Sequence, residues 1–158
     1  FEKDGTVTAG NASTINDGAA TVLLASSNKA KKLGLKPKAR IVAQASAAHQ
    51  PEWFTTAPVK AIKNVLSNAK LSIDDIDLFE INEAFAVVAM AAQEELGIES
   101  SKLNVYGGAV SLGHPIGASG ARIICTLLNA MERKQAQYGL AAICIGGGEA
   151  SAVILERL

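Results

Sequence analysis

Charge of one prevailing sign is missing from this sequence. Its 158 residues hold 15 Lys and Arg against 15 Asp and Glu, a net charge of zero at pH 7. Nothing therefore steers it toward nucleic acid or an acidic membrane surface. No apolar run approaches the roughly 18 residues of a membrane span. The 2 cysteines, Cys125 and Cys144, make neither a disulfide framework nor a CxxC pair, so free thiols in a reducing compartment are expected. Gly113, Gly117 and Gly120 miss the GxGxxG spacing and no GKS or GKT follows, which makes a nucleotide fold a weak reading. No spaced set of His, Cys and carboxylates suggests a metal, and no GxSxG elbow suggests an ordinary serine hydrolase. A starting methionine and a targeting signal are also lacking. The chain opens on Phe1 and reads as a piece of a longer polypeptide whose own N-terminal signals are out of sight.

What is present is a buried, Ala- and Gly-rich composition, 49% hydrophobic, long enough for one domain with a real core. Residues 1–13 are Gly-rich and read as loop. Ser13 suits an N-cap for a helix over 14–33, with Gly34 as its stop. Residues 39–48 read as a strand, and Pro58 opens a helix whose Val59, Ile62, Leu66 and Ala69 share a face. Ser72 and Asp74 cap a short turn before a covered strand at 76–81. Asn82 starts a helix to about Leu96 that is apolar nearly all round, ended by Gly97. A strand at 103–106 leads through a Gly-rich crossing into a helix at 118–133, whose inner stripe is Ile123, Ile124, Leu127, Leu128 and Met131. Strands at 139–145 and 150–156 form an antiparallel hairpin about Gly146-Gly147-Gly148. Strands alternating with helices argue a layered α/β/α domain: a mixed five-stranded sheet, mostly parallel, with helices on both faces.

The stretch from Gly107 to Arg122, GGAVSLGHPIGASGAR, gathers bare backbone around His114. Three polar residues fall at strand ends, where open α/β sheets place their sites: Asn82, His114 and Cys144. Each has an ordinary alternative. An Asn at a helix start caps it, a His beside Gly and Pro lines a loop, and a Cys in an apolar strand fills core. Cys125, within the helix stripe, takes the core reading outright, and His49 reads as a surface-loop residue. The three glycines after Cys144 shift the balance, because their N–H groups can approach a ligand oxygen closely. A thiol beside such donors suits proton transfer at a carbon next to a carbonyl. His114 could activate that thiol or a second one.

With NEAFA at 82–86, GGAVSLGHPIGASGAR at 107–122 and CIGGGEAS at 144–151, the whole chain resembles the C-terminal portion of a thiolase, most similar to the biosynthetic acetyl-CoA acetyltransferases. The resemblance implies a domain over 14–158, with 1–13 the tail of a substrate-covering loop region. It implies Claisen condensation of two acetyl-CoA to acetoacetyl-CoA plus CoA, and the reverse thiolysis. The nearest alternative is a degradative 3-ketoacyl-CoA thiolase of longer chains; others are a non-catalytic CoA- or lipid-binding relative and a half-domain used in assembly. His114 matches the histidine that activates a nucleophilic cysteine and faces the thioester oxygen. Cys144 matches the cysteine that moves a proton on and off the α-carbon. Asn82 matches the residue holding a water in one oxyanion hole, and Gly146 the backbone donor of the other. Ala9, Gly10 and Ser13 match positions touching the pantetheine arm, and Phe1, Ala84 and Phe85 the pocket wall. No cofactor is implied, coenzyme A being substrate and product. Some relatives bind potassium near the positions of Ala9 to Ala12 and Val110. The partners expected are acyl-CoA, a missing N-terminal domain and further copies in a dimer or tetramer, in the cytoplasm or mitochondrion. The nucleophilic cysteine belongs to the missing domain, so the chain alone is expected to be inactive.

Overall fold

A computed structural model describes residues 2–158; Phe1, expected in the pocket wall, lies outside them. Nine elements carry the fold: α1 (Ser27–Lys32), β1 (Ala39–Ala48), α2 (Ala57–Ala69), β2 (Leu78–Ile81), α3 (Ala86–Leu96), α4 (Ala109–Leu112), α5 (Ser119–Lys134), β3 (Tyr138–Ile145) and β4 (Glu149–Arg157). The strands form one mixed sheet in the order β1-β4-β3-β2. It has four strands rather than five. It is also mostly antiparallel: β4 runs against both β1 and β3, and only β2 and β3 are parallel. Because β4 inserts between β1 and β3, it turns both of its ladders antiparallel.

Alternation along the strands divides the core in two. Phe79 and Ile81 of β2, Leu140 and Ala142 of β3, and Ala150, Ala152 and Ile154 of β4 pack toward α2 and α3, with Ile62, Val65 and Val88. Leu78, Ala141 and Leu155 face the other way, onto Ile123, Leu127, Ala130 and Met131 of α5. Helices thus cover both faces, as the periodicity predicts. Pro58 sits in the first turn of α2, and Gly97 closes α3 in the left-handed conformation, also as predicted. The capping box before β2 pairs Ser72 with Asp75, not with Asp74.

Three local readings fail for physical reasons. The helix expected over 14–33 is confined to Ser27–Lys32, capped by the Ser26 side chain. Residues 11–16 are instead drawn out as a strap: Ala12 bridges Phe85 antiparallel and Ile15 bridges His114 in parallel. Ser13 caps nothing, because both its N–H and its hydroxyl donate to the Ala84 carbonyl, at 3.0 and 2.8 Å. The strap holds residues 82–85 out of α3, which begins only after Phe85. That helix is not buried all round, since Met90 is 62% exposed.

The expected strand at 103–106 shrinks to one bridge, Leu103 to Phe79. Asn104 ends it by taking a positive φ of 45°. Its side chain then completes the edge of β2 as a strand's peptide would. Asn104 Oδ1 accepts the Ile81 N–H and Asn104 Nδ2 donates to the Ile81 carbonyl, both at 2.9 Å.

Candidate active site

The carboxyl ends of β2 and β3 lie side by side, with Ile81 paired to Ala142 and the Asn82 N–H donating to the Ala142 carbonyl at 2.9 Å. Asn82 and Cys144 therefore finish neighbouring strands at one edge of the sheet. Asn82 is 1% exposed. Its amide does not cap α3, because it is engaged on both sides. Arg122 donates to Oδ1 at 3.2 Å, and Nδ2 stands 3.4 Å from His114 Nε2, a long contact.

His114 arrives from the Gly-rich crossing. Its N–H is shared by the Thr14 carbonyl at 2.9 Å and Asn16 Oδ1 at 3.1 Å, so the strap positions the loop. Gly113 has a φ of 94°, and a side chain there would overlap the Asn16 amide. Across the ring, Nδ1 lies 2.6 Å from Ser119 Oγ, and that hydroxyl donates to the Pro115 carbonyl at 3.0 Å. A hydroxyl whose proton is committed must accept from the ring, so Nδ1 carries the imidazole proton. The Nε2 lone pair then faces Asn82. Burial, and second the Arg122 charge, hold His114 below its usual 6.5. The result is a neutral imidazole with its basic nitrogen aimed at the strand ends.

Beneath this pair lies a buried charge couple. Glu80 is 2% exposed, and its Oε2 is 3.7 Å from Arg122 NH1. Desolvation pushes the Glu80 carboxyl up to about 7, against the pull of Arg122 and with a push from Glu83. Glu83 itself accepts the Asn104 amide at 3.2 Å and the Val110 N–H at 3.1 Å. It fills the space over Gly108, where any side chain would overlap its carboxylate.

Cys144 is half-buried against the α2 side of the core, and burial pushes its thiol above the usual 9.0. Among the described residues no hydrogen bond joins it to His114 or Asn82. Gly146 sits on the exposed reversal between β3 and β4, with open space where a side chain would be. Gly148 closes that turn at a φ of 87°, packed on the His49 carbonyl, and donates to the Ile145 carbonyl at 3.2 Å. His49 lies in the loop after β1, as expected, and its Nε2 is 2.6 Å from the Trp53 carbonyl.

Ser13 and Ala84 meet in the strap, while Ala9 and Gly10 lie in the exposed turn before it. Phe85 packs edge-on against Phe54 with ring centroids 6.0 Å apart. Cys125 corrects its core reading. It is exposed, on the side of α5 away from the sheet, and its thiol donates to the Thr21 carbonyl at 3.7 Å. Among the described residues no three His, Cys, Asp or Glu gather as a metal site, and no helix is long and apolar enough to cross a membrane. Val110, one position linked by resemblance to potassium, directs its N–H to Glu83.

Sequence reasoning passed over Glu80, Arg122, Ser119, Asn16 and Asn104. The first two carried a signal. Glu80 is the one charge within the apolar strand at Leu78–Ile81, and Arg122 falls among the apolar residues opening α5. Opposite charges in two buried elements are expected to pair.

The family model for the thiolase C-terminal domain matches residues 35–157, and that for the thiolase N-terminal domain matches 1–28. A probable acetyl-CoA acetyltransferase of Dictyostelium discoideum is 54% identical over 158 residues, which is 100% of this chain and 38% of that protein. An acetyl-CoA acetyltransferase of Yarrowia lipolytica is 56% identical, with 100% and 39% covered. Among solved structures, the Bacillus anthracis acetyl-CoA acetyltransferase superposes with a TM-score of 0.97 at 46% identity, covering 100% of this chain and 40% of that one. Human mitochondrial 3-ketoacyl-CoA thiolase in complex with CoA gives 0.93 at 44% identity, with the same coverage. The chain thus spans about two fifths of the length of these relatives. With matches over its whole length and a C-terminal-domain match over most of it, the chain belongs to the thiolase family.

Proposed function

We propose that this chain forms part of an acyl-CoA C-acyltransferase that condenses two acetyl-CoA to acetoacetyl-CoA plus CoA and runs the reverse thiolysis. The observation that carries the reading is the pairing of Asn82 with a neutral His114 at the carboxyl edge that also ends in Cys144. On this reading His114 Nε2 takes the proton of a cysteine supplied by the N-terminal part of the enzyme. Asn82 holds a water that faces the developing enolate oxygen, and the Gly146 N–H serves a second oxyanion hole. Cys144 delivers its thiol proton to the α-carbon in thiolysis and is left as the thiolate; in condensation, the reverse step, that thiolate takes the α-proton and becomes the thiol again. Ala9, Gly10 and Ser13 border the pantetheine arm; Ala84 and Phe85 wall the acyl pocket.

A base with a depressed pKa and an acid with a raised one support this division of labour. The test uses the chain in its full-length enzyme. Cys144→Ala should lower both acetoacetyl-CoA thiolysis and the condensation rate by about 10²–10⁴-fold, the usual contribution of a proton-transfer group. An unchanged rate would overturn the reading. A second reading, a 3-ketoacyl-CoA thiolase of broader chain length, draws on the human neighbour's likeness. Thiolysis rates that hold up as the 3-ketoacyl chain lengthens would favour it. The chain alone should transfer no acyl group: after incubation with acetyl-CoA, mass spectrometry should find neither Cys144 nor Cys125 acetylated, and an adduct on either refutes this. Assembly as a dimer or tetramer is part of the proposal, and the full-length enzyme's mass by light scattering tests it.

A further inference from the structure

We propose that Arg122 is a positioning residue: anchored on the buried Glu80, its guanidinium dictates which way the Asn82 amide points and so keeps the His114 proton on Nδ1. The importance of this for catalysis rests on the acyl-transfer reading above, but the geometry does not.

An asparagine facing an imidazole can satisfy it in two ways. Nδ2 can donate to an unprotonated Nε2, or Oδ1 can accept from a protonated one. The two arrangements differ by a flip of the amide and opposite tautomers of the ring. Left alone, Asn82 and His114 could exchange between them. Arg122 breaks the tie because a guanidinium only donates. With its NH2 group 3.2 Å from Oδ1, the flipped amide would set donor against donor and lose that bond. Nδ2 is thereby turned to His114 Nε2.

Arg122 is in turn fixed from below by Glu80, 3.7 Å from NH1. This couple is an expensive choice for stability alone. Glu80 Oε1, Arg122 Nε and Arg122 NH1 are buried without hydrogen-bond partners. Incompletely satisfied buried ion pairs are commonly matched or surpassed by apolar residues of similar volume. Orientation of the amide gives the pair a reason to be there. Ser119 works from the opposite side of the ring, where its commitment to Pro115 favours the same tautomer. The imidazole is clamped at both nitrogens, with its lone pair left on the nitrogen that the reaction would use.

Long-range ¹H–¹⁵N NMR on the labelled chain reads the tautomer directly, and only 2 histidines need to be told apart. Wild-type His114 should show a protonated Nδ1 and a bare Nε2. The double variant Glu80→Gln with Arg122→Met removes both charges together at similar volume. It should raise the ratio of the Nε2–H to the Nδ1–H form about tenfold, the equivalent of one net hydrogen bond. Arg122→Lys keeps a charged donor and should hold the wild-type ratio. Should the double variant fail to fold, Arg122→Gln carries the same test, since its amide can meet either face of Asn82. An unchanged ratio in the folded double variant, or in Arg122→Gln, overturns the proposal and leaves Ser119 as the sole determinant. A wild-type ring protonated at Nε2 overturns it as well. No substrate enters the measurement, so a full-length enzyme lacking acyl transfer would refute the function while leaving this result intact.

Discussion

Replacing Asn104 with alanine should strip the edge of β2 at the residue before Asn82. The side chain makes two bonds to Ile81, which is 1% exposed, and one to Glu83 at 3.2 Å. In Asn104→Ala the Ile81 N–H and carbonyl lose partners that water cannot readily replace. Each such loss costs about 1–3 kcal/mol, so the pair should cost about 2–6 kcal/mol. The backbone adds to this, because Asn104 sits at a φ of 45°, where alanine is less comfortable than asparagine by about 1 kcal/mol. Asn104→Gly separates the two terms: it loses the same bonds without the backbone strain, so it should lie about 1 kcal/mol above the alanine variant and well below wild type. Urea unfolding reads the difference. With a slope of about 2 kcal/mol per molar, the alanine variant's midpoint should fall by about 1.5–3.5 M. Hydrogen exchange should show the Ile81 amide losing protection beyond the global loss. A glycine variant as stable as wild type would refute the strand-mimic argument, since backbone conformation would then be the whole of Asn104's role.

Two further outcomes are expected. Glu80 holds its proton more tightly in the fold than in the unfolded chain, at about 7 against 4.5, so the stability it contributes is present below about pH 4.5 and is lost as pH rises through about 7. Urea titrations at several pH values should show wild type losing up to about 3 kcal/mol relative to Glu80→Gln across that window, and a flat difference would show that Glu80 does not titrate there. Gly148→Ala puts a side chain onto the His49 carbonyl at a φ of 87°. It should cost about 2–3 kcal/mol and lower the melting temperature by about 5–10 °C; a loss under 2 °C would mean that the turn has room to shift.

Much of this molecule was legible in the sequence, because some features are local. Pro58, Gly97 and the triple glycine after Ile145 mark element boundaries through their own backbone preferences, and the structure keeps them. The alternation in β3 and β4 gives two buried faces without knowledge of their partners. The misread elements are cases where a distant segment overrides a local preference. Residues 14–26 have a helical stripe but are drawn out where the strap pairs with Phe85 and His114. Leu103 to Tyr106 read as a strand until Asn104, whose side chain replaces the backbone it interrupts. Cys125 was misassigned because the helical stripe was drawn too wide; Ile123, Leu127 and Met131 face the sheet, and a residue two positions from both Ile123 and Leu127 points away. At the site, His114, Asn82 and Cys144 stood out as polar residues at strand ends. Ser119, Arg122 and Glu80 did not, because their importance lies in which atom of a neighbour they face.

The strap carries a practical lesson about where such a molecule can be cut. The two family models divide the chain in the gap between residue 28 and residue 35, which looks like a natural seam for trimming or recombination. Yet Ser13 fastens the loop before α3, and Thr14 and Asn16 fasten the loop that holds His114. A chimera spliced at the seam would inherit both loops from one parent and the fastener that sets their spacing from the other. Joining parents upstream of Thr8, before the turn that launches the strap, would keep lock and keyway from the same source.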